Sequence, residues 1–276
     1  MRTLVSIRTV WLAISSALAL CTLATLPLYA EPANNEIEII RERYPNRSVK
    51  VERAVTLDAE SNYVNHGSWK MWDEAGKLVA EGKYKWGQRV GLWTCWHDDS
   101  QSATLQDAPF NQFQAPFVSQ ASFHAGQLDG DWLVFDSNQD RCSQITFKGG
   151  RRHGPATMWL PGGKVFRQAF YEHGVPVGDL LERGADGKLE KVASYIDGRQ
   201  VRTKVSYFPG TQEKKTEASY LDTRSEITRP DDFWTARFAD YESVGQQLRH
   251  GAWRTWYANG QVRIEGNYRN DAEIGT

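Results

Sequence analysis

From Gly67 onward the chain alternates short aromatic runs with polar, glycine-bearing turns. Gly67, Ser68, Trp69, Lys70, Met71 and Trp72 form a strand-like run, and Asp73, Glu74, Ala75 and Gly76 supply a turn with glycine where positive φ is wanted. Lys77 to Tyr84 alternates as a second strand, and Lys85, Trp86, Gly87 and Gln88 turn the chain again. One such stretch is one β-hairpin.

The stretch recurs. Gly67 and Gly91, Gly130 and Gly154, Gly154 and Gly178, and Gly251 and Gly275 are each 24 residues apart. Gly91 and Gly130 are 39 apart, which is one unit with 15 residues added. Two positions after the glycine stands Trp69, Trp93, Trp132 or Trp253, and five after it Trp72, Trp96, Phe135, Trp159 or Trp256. The second strand carries Tyr84, Phe123, Phe147, Tyr171, Tyr195 or Tyr268, followed three residues later by a further glycine in five of the six units. Hairpins joined by tight turns pair as antiparallel neighbours, so the expected fold is all-β: an elongated meander sheet of 24-residue hairpins with ladders of equivalent aromatics.

This pattern resembles the MORN-type repeat (membrane occupation and recognition nexus) in its longer bacterial variant. The likeness rests on the G-x-W-x-x-W start, the N-G-like turn, and the E-G-x-Y of Glu81–Tyr84 and Glu265–Tyr268. Units open at Gly67, Gly91, Gly130, Gly154 and Gly251, with degenerate ones at Gly178 and near Arg202. A half unit runs from Tyr44 to Glu52. The expected organisation is a leader over residues 1–30, an N-terminal segment with the half unit over 31–66, repeats over 67–222, an irregular or degenerate unit over 223–250, and a terminal unit over 251–276. Ile274, Gly275 and Thr276 stand where another unit would open.

The leader is read from Arg2 and Arg8, an apolar run from Val10 to Leu26, and Ala30 before the polar Glu31. This is the pattern of a secretory signal peptide, with an uncleaved anchor over residues 10–26 or a lipid-modified Cys21 as alternatives. The expected location is therefore periplasmic or extracellular. The 276 residues hold 33 basic and 34 acidic side chains, and loss of the leader leaves a net charge of −3. No basic excess exists to neutralise phosphates, which disfavours nucleic acid and anionic membrane surfaces as partners. Membrane association is expected only through an uncleaved N-terminal segment.

No assembled chemistry is legible, so neither cofactor nor metal nor catalytic residue is expected. His66, His153 and His250 precede repeat glycines, and equivalent positions lie ~10 Å apart per unit, too far to share an ion; His124 and His173 fall in turns. Asp136 to Asp140 starts like a calcium loop but has Arg141 at its glycine position and Phe147 at its glutamate position. Gly162, Gly163 and Lys164 lack the earlier glycine and the hydroxyl of a phosphate loop. Cys95 and Cys142 are three strand steps apart, ~14 Å, beyond the ~7 Å reach of a disulfide unless the sheet rolls strongly. Lys148 to His153 is a basic turn that is either solvated or holds an anion.

The expected role is a secreted, non-catalytic scaffold that binds a protein or a cell-envelope component. Alternatives are a glycan- or lipid-binding envelope protein and, from the resemblance alone, an antitoxin-like protein. Exposed members of the Trp69, Trp93, Trp132 and Trp253 ladder are candidate contacts, against the reading that they are core. The insertion at 97–116 carries Phe110 and Phe113, which either anchor a partner or fold back over the aromatic ladder.

Overall fold

The structure, a computed structural model, describes residues 36–98 and 103–275. The expected leader and Cys21 lie outside them. Among the described residues there is no α-helix. The first strands are β1 (Glu38–Arg43), β2 (Val49–Leu57), β3 (Tyr63–Trp72), β4 (Leu78–Lys85), β5 (Gln88–His97) and β6 (Phe117–His124). Next come β7 (Gln127–Phe135), β8 (Arg141–Lys148), β9 (Arg151–Trp159), β10 (Val165–Glu172), β11 (Val175–Arg183) and β12 (Leu189–Ile196). The last are β13 (Arg199–Tyr207), β14 (Lys214–Arg229), β15 (Asp240–Trp256), β16 (Val262–Arg269) and β17 (Ala272–Gly275). Each pairs antiparallel with its neighbours in sequence, giving one open meander with β1 and β17 at its edges.

The repeat positions meet in register. Gly67 lies opposite Tyr84, Gly91 opposite Phe123, Gly130 opposite Phe147, Gly154 opposite Tyr171, Gly178 opposite Tyr195, and Gly251 opposite Tyr268. On its other side each glycine strand bulges against the preceding strand. Glu81 faces Thr94 and Lys83 faces Val90, so the chain around Gly91 advances four residues while β4 advances two. The same four-against-two step occurs at Gly67, Gly130, Gly154, Gly178 and Gly251. Gly91 has φ +66° and Gly130 φ +101°, values that strain residues with a Cβ. Because the extra residues come in twos, the alternation of faces survives each bulge, and the aromatics opposite the glycines stay on one side with Trp69, Trp93 and Trp132.

Bulges raise the right-handed twist of a sheet, and the fold depends on that curvature. Strand β14 is eleven strand steps from β3, which would be ~53 Å across a flat sheet. Trp234, in the loop after β14, nevertheless touches Trp69 on β3, with ring centroids 5.9 Å apart. The sheet is therefore rolled, with its aromatic face inward.

Two irregular segments fill the inside of the roll. Residues 223–250 form no further unit: they lengthen the connection from one unit to the next into the long β14–β15 hairpin, whose tip carries Phe233, Trp234 and Phe238. The insertion after His97 folds into two short 3-10 turns, Ala103–Gln106 and Phe110–Gln112. In a meander the connections within units and those between units lie at opposite ends of the strands. The two segments thus enter from opposite ends and meet over the inner face, where Phe110 and Phe238 stack at 5.7 Å and 8°.

Candidate binding site

The inner aromatic face is a closed core. Trp93 and Trp132 are 0% and 1% exposed, and Phe123 and Phe147 are buried beside them. The arm tip packs onto this row: Trp234 lies 5.6 Å from Trp93, and Phe233 lies 5.8 Å from Trp132 and 5.6 Å from Phe123. Arg89 sits over the Phe123 ring at 4.6 Å and over Trp234 at 5.3 Å. Trp93 and Trp132 are thus not a surface for a partner. Trp69 is half-buried against the same cluster, and Trp253, half-buried near the far end of the sheet, meets Tyr268 edge-on at 6.2 Å.

Phe110 is 2% exposed, and Phe113 packs against the same core. Of the two readings of the insertion, the fold-back one describes Phe110; docking through that ring is corrected by its burial. His97, at the root of the insertion, is buried with Nε2 2.9 Å from the Ser119 hydroxyl. Burial pushes its pKa down to about 4, against the opposing pull of Asp98 and Asp232, so it is neutral near pH 7.

The arm is held by a buried ion pair. Arg152 donates from Nε to Asp231 Oδ2 at 3.0 Å, from Nη2 to Asp231 Oδ1 at 2.5 Å, and from Nη1 to the Tyr171 hydroxyl at 3.0 Å. Its side chain is 5% exposed. Burial works against its charge, and Tyr171 and Asp231 more than offset that. The turn read as a solvated basic run or an anion holder does hold an anion, one from its own chain. Asp231 Oδ1 also accepts the Ala239 amide at 2.9 Å, and the Tyr241 hydroxyl donates to the Gly174 carbonyl at 2.6 Å.

Between this arm, the insertion and strands β8 to β12 lies a cavity of about 510 Å³. Arg152, Arg167, Arg229, Tyr171, Tyr195 and Tyr241 line it together with Asp107 and Asp240, and Ile145, Met158, Leu180, Phe110 and Phe238 supply its apolar lining. Sequence reasoning missed the arm's contribution. Its only signal was an aromatic run, Phe233, Trp234 and Phe238, lying outside the repeat phase.

The remaining candidate groups are spent on structure. The Asp136 carboxylate accepts the amides of Asn138 and Asp140, each at 2.9 Å, closing a hairpin turn. Leu160 to Lys164 is likewise a hydrogen-bonded turn. His66 packs edge-on to Trp86 at 4.6 Å, and His153 lies 5.4 Å from His173. Among the described residues no three His, Cys, Asp or Glu side chains gather as metal ligands. Cys95 and Cys142 are free buried thiols, and burial pushes both pKa values up to about 12.

Residues 65–85 and 249–270, which coincide with the β3–β4 hairpin and with most of β15–β16, match the model of the MORN repeat variant. With six glycine–aromatic pairs in common register along one meander, the protein is a MORN-type repeat protein. No curated protein matches the chain.

Proposed function

We propose that this protein is an exported, non-catalytic scaffold that binds a protein or a cell-envelope component through the outward face of its sheet. Export rests on the pattern of residues 1–30, and the scaffold role is the general one of an all-β repeat protein. The observation that carries the reading is the asymmetry of the two faces. The inner aromatics are covered by the protein's own arm and insertion, while the outer face keeps apolar side chains in solvent. Phe170 is 48% exposed between the inward Ala169 and Tyr171, and it pairs across the strands with Val177. On the same face Trp72, Trp96 and Phe135 are half-buried. Such side chains are apolar surface outside the covered core.

The test is retention of one partner from an envelope extract by the chain lacking residues 1–30, compared with a variant carrying Phe170→Ser and Val177→Ser. The expected result is loss of retention at an unchanged melting temperature. Equal retention by both proteins places binding elsewhere, and export of a reporter by residues 1–30 checks the location.

A further inference from the structure

The geometry points to the cavity under the arm as a binding site for a neutral saccharide of one or two rings. This goes beyond the scaffold reading and does not depend on it. The cavity lies where three chain segments meet, is lined by polar and apolar side chains together, and its volume of about 510 Å³ is that of a small-molecule site.

Charge selects the ligand class. Each arginine that lines the cavity faces a carboxylate: Arg152 faces Asp231 at 2.5 Å, Arg167 faces Glu182 at 2.6 Å, and Arg229 faces Asp240 at 3.6 Å. A carboxylate or phosphate ligand would have to compete with partners already in place, and a cation would meet the guanidinium groups. A polyol meets no such opposition, because its hydroxyls donate to one member of a pair and accept from the other. Tyr195 adds a hydroxyl that the fold leaves open to the cavity. It is half-buried and lines the cavity, and its hydroxyl has no hydrogen-bond partner among the described residues. A phenol in that position offers one donor and one acceptor to a ligand. Met158, Leu180 and Phe238 add apolar lining against which C–H groups of a pyranose ring can pack.

Calorimetry and ligand-observed NMR on the chain lacking residues 1–30 test this, with cellobiose, maltose and N,N′-diacetylchitobiose as probes and with palmitate and inorganic phosphate as charged comparisons. The expected result is saturable binding of at least one disaccharide with Kd at or below about 1 mM. Tyr195→Phe should weaken it about 3- to 10-fold without moving Tm, since only one hydroxyl is lost. Leu180→Trp, which fills the cavity, should abolish it; the Tyr195→Phe result stands by itself if that variant does not fold. The inference is overturned if palmitate or phosphate binds and no disaccharide does, if no probe binds, or if Tyr195→Phe binds as tightly as the parent. Partner retention by the outer face is a separate measurement and survives any of these outcomes.

Discussion

His97 shows how one residue can tie stability to pH. It is buried and neutral, with a native pKa of about 4 against ~6.5 when unfolded. Between those values the unfolded chain binds more protons than the native one, so stability rises with pH there. Its contribution is complete above about pH 6.5, is lost as pH falls towards 4, and amounts to roughly 3 kcal/mol at most. Denaturant titrations at pH 7 and pH 4.5 should therefore show a smaller loss in His97→Gln than in the parent. Gly82 is a different case, a glycine needed for room. A Cβ there would lie 2.1 Å from the Trp93 ring, so Gly82→Ala should cost about 1–3 kcal/mol in thermal or urea unfolding. At the equivalent Gly266 a Cβ meets only the Glu273 carboxylate at 3.6 Å, and the same substitution should stay within about 0.5 kcal/mol.

At the scale of elements, the two irregular segments are each other's cover. Neither the insertion nor the arm continues the sheet, and the stacked rings of Phe110 and Phe238 join them. Replacing Phe110 and Phe113 with Ser should lower the melting temperature, because a buried phenylalanine contributes about 3–5 kcal/mol relative to a small residue. An unchanged melting temperature would return these rings to the docking role. Phe238→Ala should have a similar cost. Combined with Phe110→Ala it should cost less than the sum, since the two rings share one contact.

For the whole molecule, curvature and its fastening matter most. The bulges roll the sheet, and the Arg152–Asp231 pair pins the arm across the roll. Removing one member of a buried pair strands the other, so Arg152→Ala should destabilise by roughly 3–5 kcal/mol. Arg167→Ala, at a pair whose arginine is 46% exposed, should cost less than about 1 kcal/mol. Limited proteolysis separates local from global effects: arm release in Arg152→Ala predicts early cleavage between Arg229 and Asp240 while the repeat strands persist.

The sequence by itself determined what is local and periodic. Each glycine, its aromatic partner and its turn residues sit within one unit of 24 residues, and the same steric and pairing rules apply in every copy, so the hairpins and their order were legible in the sequence, while the bulge at each glycine was not. Tertiary structure alone decided what covers the aromatic face. The match between Phe110 and Phe238, or between Arg152 and Asp231, joins positions 128 and 79 residues apart through the curvature of the intervening sheet, and no spacing encodes it. The cavity was hidden for the same reason: its walls come from the insertion, the arm and β8 to β12, which become neighbours only once the sheet has rolled.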